Sequence, residues 1–166
     1  MVESLPALPR DCVFCPLQMT YQDLLKDDLS NQRKMYRDGI IQVKAPRGYW
    51  RQMIRRLEAD TGLDFKFTKS SRKADIICDW QDPGSNAGLA RRTGDGKYKL
   101  IARKGEWYSE SVAAHELGHA LGLDHVGGDT SVMSYERDYG INYFMPLDLH
   151  AITHVFGLSH DADDFY

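Results

Sequence analysis

The chain has 166 residues, 42% of them hydrophobic and 27% charged, with a formal net charge of −3. This length and apolar content suit one domain with a sizeable core, and exclude a disordered or low-complexity chain. The weak negative charge gives no bulk attraction to nucleic acid or to an anionic membrane, and no run of about 18 apolar residues offers a bilayer span. Met1–Pro6 has no basic region leading into an apolar stretch, so no signal peptide is visible. The compartment stays open between the cytoplasm and export by a route or precursor the sequence does not display. A monomer is expected.

Residues 1–36 are polar, proline-containing and weakly periodic, and read as an N-terminal arm with a short helix over Tyr21–Leu29. Gly39–Lys44 reads as a strand. Pro46 suits the first turn of a helix, Trp50, Met53, Ile54 and Leu57 recur at helical spacing, and Gly62 ends the run. The arginines of this helix, Arg51, Arg55 and Arg56, with Arg47 before them, form a solvated face. Phe65–Phe67 and Ala74–Trp80 read as strands, and Asp82–Asn86 as a loop. Asn86–Arg92 and Tyr98–Arg103 flank Gly94-Asp95-Gly96, a hairpin signal. A helix follows, with Ser109 or Ser111 as its cap and Val112, Ala113 and Ala114 small enough to pack against a sheet. Pro146–Gly157 reads as a C-terminal helix. Within it Asp148, His150 and His154 allow a metal reading, against which stands an ordinary helix with one histidine inward and one exposed.

Three cysteines make an odd count. Cys12 and Cys15 form a CxxC that fits metal binding, a local disulfide or free thiols, and a zinc ribbon would need a second ligand pair. Cys78 lies in an apolar run and reads as a small buried hydrophobe.

Residues 115–125 read His-Glu-Leu-Gly-His-Ala-Leu-Gly-Leu-Asp-His, the pattern HExxHxxGxxH. On a helix, His115 and His119 project from one face. Both imidazoles can then reach one zinc ion. Glu116 borders the same site and is placed to take a proton from an activated water. Gly122 supplies the left-handed conformation that stops a helix, so the chain can swing back and present His125 as the third ligand. Three protein ligands leave one position open, as in catalytic rather than structural zinc sites. The alternative is an amphipathic helix with satisfied histidines. It has to explain three histidines and a glutamate in register with a helix-stopping glycine.

With Ser131-Val132-Met133-Ser134-Tyr135 downstream, the chain resembles the metzincin zinc endopeptidases, whose signature is this long motif followed by a Met-turn. The resemblance implies that Met133 forms an apolar floor beneath the imidazoles. Met-x-Tyr matches the astacin-like and serralysin-like branches, in which the tyrosine approaches the zinc, so Tyr135 becomes a candidate oxyanion donor. A tyrosine without metal contact is the alternative. Val126 after the third histidine matches none of the usual branch residues (Ser, Asp, Glu or Pro). Over residues 37–158 the element order is most similar to the matrixin catalytic domain.

That similarity implies an α+β, zincin-like metzincin fold. Its parts are a twisted five-stranded mixed sheet, three main helices, and an active-site cleft between upper and lower subdomains. The arm at 1–36 would precede a catalytic domain at 37–166. An edge strand through Gly88, Leu89 and Ala90 would pair with an extended protein or peptide substrate. Residues 135–144 would wall a pocket, and Tyr143, Phe144 and Met145 suggest that it is apolar. One catalytic zinc is expected. No histidine precedes His115, so the matrixins' histidine-bound structural zinc is excluded. Calcium at Asp79, Asp82 or backbone carbonyls is left open. Pro9-Arg10-Asp11-Cys12-Val13 loosely resembles the matrixin latency segment, in which a cysteine fills the open zinc position.

The implied activity is hydrolysis of internal peptide bonds by zinc-activated water, with Glu116 as general base and Tyr135 assisting. Two alternatives stand beside it. One is a zinc-holding but non-catalytic peptide- or partner-binding module of a larger assembly. The other is a zinc hydrolase for small amides or chain ends.

Overall fold

A computed structural model describes residues 19–135 and 140–158. Cys12, Cys15 and the candidate latency segment lie outside the described residues, as do residues 136–139 of the expected pocket wall.

Alternation of apolar residues builds the sheet. In β1 (Ile41–Lys44) and β5 (Tyr98–Ala102) every second side chain is buried, and in β3 (Ile76–Trp80) Ile76 and Cys78 are buried with Trp80 partly so, so each strand gives one face to the core. With β2 (Phe65–Phe67) and β4 (Gly88–Arg92) they form a five-stranded sheet of order β2-β1-β3-β5-β4. All neighbours are parallel except β4 and β5, an antiparallel hairpin. The hairpin turns at Gly94-Asp95-Gly96: Thr93 N–H donates to Lys97 O at 2.8 Å, and Gly96 takes φ +83°. β4 is one of the two edge strands, and its outer row of backbone groups faces away from the sheet.

Among the described residues four α-helices complete an α+β fold: α1 (Ser30–Met35), α2 (Tyr49–Thr61), α3 (Ser109–Ala120) and α4 (Pro146–Val155). The architecture is consistent with the expected metzincin-like catalytic domain, with α2, α3 and α4 as the main helices. Trp50, Met53, Ile54 and Leu57 of α2 are buried at helical spacing. Each such side chain contributes about 1.5–3 kcal/mol. Gly62 ends the helix in the left-handed region at φ +76°. The guanidinium groups of Arg51 and Arg55 lie over the Phe67 ring, with Arg55 exposed and Arg51 half-buried and donating to Ala45 O. No helix among the described residues is long and apolar enough to cross a membrane.

Local expectations need three corrections. α2 starts at Tyr49 with Gly48 at the cap, not at Pro46, because Gly48 adopts φ +96° and breaks the helical path there. Neither serine caps α3. Tyr108 holds the cap position and Ser109 is the first helical residue. The Ser109 hydroxyl accepts from Glu106 N–H at 3.0 Å and donates to Arg103 O, while Ser111 is buried within the helix. Finally, Tyr21–Leu29 is not one helix. A 3-10 turn over Tyr21–Leu24 ends in extended backbone at Leu25, and α1 begins only at Ser30. Leu25 is extended because it bridges Leu123 in antiparallel fashion, a tertiary contact with no local signal.

Candidate active site

Helix α3 is almost entirely buried, and His115 and His119 leave it on one face. It ends at Ala120, and Gly122 at φ +98° reverses the chain, which returns His125 to the same point. The ring nitrogens converge. His125 Nε2 lies 3.0 Å from His115 Nε2 and 3.1 Å from His119 Nε2. Ligands of a tetrahedral zinc at 2.0–2.1 Å stand about 3.3 Å apart, close to this spacing.

The other ring nitrogens settle what the cluster can hold. His115 Nδ1 lies 2.9 Å from Val132 O, and His119 Nδ1 lies 3.0 Å from Leu123 O. Carbonyl oxygens only accept, so each Nδ1 carries the proton and each Nε2 directs a lone pair inward. The two lone pairs meet at His125 Nε2, where they can accept its proton or, with His125 deprotonated at that nitrogen, share one cation. Burial also holds the His119 pKa down at about 4, with the neighbouring His125 adding to the effect and the bond to Leu123 opposing it. His119 therefore remains a neutral donor at physiological pH. The three histidines together can bind one zinc, and they form the only such cluster among the described residues.

Around this point lies a cleft of about 380 Å³, walled by residues 86–90 on one side and by Val112, His115, Glu116, His119 and His125 on the other. Gly88 sets its width. A Cβ there would stand 2.4 Å from Val112 Cγ1 and 2.8 Å from Glu116 Oε1. Only glycine lets the edge strand approach the buried carboxyl side chain this closely. Gly88, Leu89 and Ala90 thus flank Glu116 along one wall.

Beneath α3 runs the turn 131–134. Met133 is fully buried, and a Cβ at Gly118 would meet its Sδ at 2.4 Å. Gly118, an otherwise unfavourable residue inside a helix, is the hollow that receives the methionine. Asp148 of α4 holds the turn from behind. It is fully buried and accepts from Ser131 Oγ at 2.5 Å, Val132 N–H at 3.0 Å and Met145 N–H at 2.8 Å. Burial pushes its pKa up, opposed by these hydrogen bonds. Tyr135 emerges 73% exposed, its ring centroid 4.3 Å from that of His125.

Other candidates are placed elsewhere. Asp148 is turned to the Met133 turn, while His150 stacks on Tyr21 at 4.5 Å between centroids and the His154 ring lies tilted against it at 5.0 Å. His150 is half-buried and His154 exposed. Asp79 accepts from Trp80 N–H and Gln81 Nε2, and Asp82 from Gly84 N–H and Arg103 Nη2. Tyr143 is aimed at α2, donating to Asp60 Oδ2 at 2.7 Å beneath Arg56, and Phe144 packs toward Gly118. Cys78 is a buried free thiol whose pKa burial drives up. The sequence places Gly88 in the substrate edge strand but does not mark it as the contact for Glu116, and it does not mark Gly118 or Asp148 as supports of the site. The one available signal was a glycine inside the helical pattern at 118, which marks close packing.

No curated protein matches the chain. The family model of the matrixins matches residues 95–140, from the β4–β5 turn through α3 to just beyond the Met133 turn. The chain is therefore similar to the matrixin metallopeptidases over the segment that carries all three histidines, Glu116 and Met133.

Proposed function

We propose that the protein is a zinc-dependent endopeptidase of metzincin type. The observation that carries this reading is the single cleft in which three inward-facing Nε2 atoms, the Glu116 side chain and an edge strand meet. The matrixin match over the same residues supports it. Residues 37–166 would form the catalytic domain, behind an N-terminal segment at 1–36. The substrate would be a protein or peptide, with no nucleic-acid or membrane partner and with the protein acting as a monomer.

His115, His119 and His125 would hold the metal. Zinc, when bound, supplies Lewis acidity that polarises the scissile carbonyl and lowers the pKa of water to about 7. β4 takes an extended peptide as an added strand through Gly88–Ala90, which lays the peptide beside Glu116. Glu116 accepts the proton of the attacking water and returns it to the leaving amine. Met133 is the apolar floor of a Met-turn that fixes the height of the imidazoles. The Tyr135 hydroxyl, on a ring beside His125, donates to the developing oxyanion.

The test is digestion of a diverse peptide mixture by the zinc-loaded protein, with Glu116→Ala in parallel and products identified by mass. Internal cuts are expected from the parent. The variant should retain zinc and lose about 10²-fold or more in rate. Trimming from chain ends only, or equal cutting by the variant, would overturn the reading.

A further inference from the structure

The loop from α3 to His125 is held from outside by residues far away in sequence. Lys26 N–H donates to Gly122 O at 2.9 Å, and Asp124 N–H donates to Leu24 O at 2.7 Å. Between these bonds Leu25 and Leu123 form an antiparallel bridge. Leu24 is fully buried, and Leu29 lies against Gly122, where a Cβ would meet its Cδ2 at 2.9 Å. Further along, Gln32 is buried and its Nε2 reaches Ala120 O, the last helical carbonyl of α3, at 3.3 Å. Upstream, Tyr21 stacks on His150 of α4.

This strap grips the residues that set two of the three ligands. Leu123 O fixes the His119 tautomer, and Leu123 N–H donates back to Gly118 O at 2.9 Å. Asp124 immediately precedes His125, and its Oδ1 accepts the His125 N–H at 2.8 Å. Gly122 gives this stretch conformational freedom that the strap removes. Orienting contacts behind metal ligands typically change affinity by 10–100-fold.

We propose that Leu24–Lys26 is a positioning strap for the metal centre: its pairing with Gly122–Asp124 holds His125 and the His119 partner carbonyl in the metal-binding arrangement, so that strap docking and zinc affinity are coupled. The proposal rests on the three-histidine site taking zinc, and is independent of peptide cleavage. Coupling is reciprocal: if the docked strap favours zinc, zinc must favour the docked strap.

The strap is tested by Lys26→Pro, which deletes the N–H given to Gly122. Leu25, at φ −78° and ψ 138°, already has the extended backbone required before proline. Lys26→Ala is the control, since it keeps the N–H and loses the same side chain. Zinc affinity, measured by competition with a chromogenic chelator, should fall about tenfold in the proline variant relative to the alanine variant, the scale of one lost buried backbone hydrogen bond. Equal affinities, with only the melting temperature lowered, would make the strap merely structural and overturn the proposal. Should the proline variant not fold, hydrogen exchange on the unaltered chain decides. Zinc should slow exchange of the Lys26 and Asp124 amides, and unchanged rates there with zinc bound would refute the coupling. Failure of the unaltered chain to bind zinc would remove both this proposal and the metal reading beneath it.

Discussion

Replacing Gly118 by alanine sets two effects against each other. Alanine is favoured over glycine in a helix interior by about 1 kcal/mol. Here, however, the added Cβ would stand 2.4 Å from Met133 Sδ and 3.6 Å from Phe144 Cε1. Met133 is fully buried, so its thioether has to shift within the core to make room. Overpacking of this kind costs about 1–3 kcal/mol. The expected net result is a loss of about 0–2 kcal/mol, opposite in sign to what helix propensity alone gives. A double-mutant cycle isolates the cause. On a Met133→Ala background the clash is gone, so Gly118→Ala should stabilise by up to about 1 kcal/mol. The coupling between the two sites should therefore reach about 1–3 kcal/mol. Urea unfolding of the four proteins, all without metal, reads this as midpoint shifts at constant slope. A coupling under about 0.5 kcal/mol would refute the argument that Gly118 is a socket for the methionine.

Gly88→Ala drives a methyl toward Glu116 Oε1 and Val112; kcat/KM for a cleaved peptide should fall about tenfold or more with zinc stoichiometry unchanged, and an unaltered rate would show that strand and carboxylate tolerate separation. Asp148→Ala strips the acceptor from Ser131 Oγ, Val132 N–H and Met145 N–H; a loss of roughly 2–4 kcal/mol is expected, read as a melting temperature lower by roughly 5–15 °C. Because burial raises the Asp148 pKa above 3.8, the folded state binds this proton more tightly than the unfolded state. Its contribution to stability is thus fully present below pH 3.8 and is lost as pH rises through the folded value. Asp148→Asn should remove that slope from stability measured across the acid range, and an identical slope in both proteins would contradict the assignment. Tyr135→Phe should lower kcat about tenfold with little change in KM, and an equal rise in KM instead would indicate a substrate-binding role.

Much of this architecture is written locally. Residues 115–125 dictate a helix, a stop and a return, because a four-residue spacing aligns two imidazoles and glycine alone takes φ +98° cheaply. Trp50 to Gly62 announces α2 by its period and its stop, and Gly94-Asp95-Gly96 announces the hairpin. What was misread depends on partners distant in sequence. Leu25 leaves the helical path because Leu123 offers it a bridge. Ser109 bonds to the residues before α3 instead of capping it. Tyr143 turns to Asp60 on α2, although its neighbours read as an apolar pocket.

The division follows from the range of the forces. Sequence by itself determined the three-histidine pattern, the neighbouring glutamate and the helix that bears them, since each follows from periodicity, turn chemistry and metal preference over a few residues; the five-stranded mixed sheet was implied only by the resemblance to the matrixins. Only the tertiary structure decided how those groups are held: Gly118 against Met133, Gly88 against Glu116, Asp148 behind the Met133 turn, and Leu24–Lys26 across the His125 loop. These contacts span tens of residues of chain. They exist because close packing and buried hydrogen-bond satisfaction are properties of the assembled core, which no local pattern records.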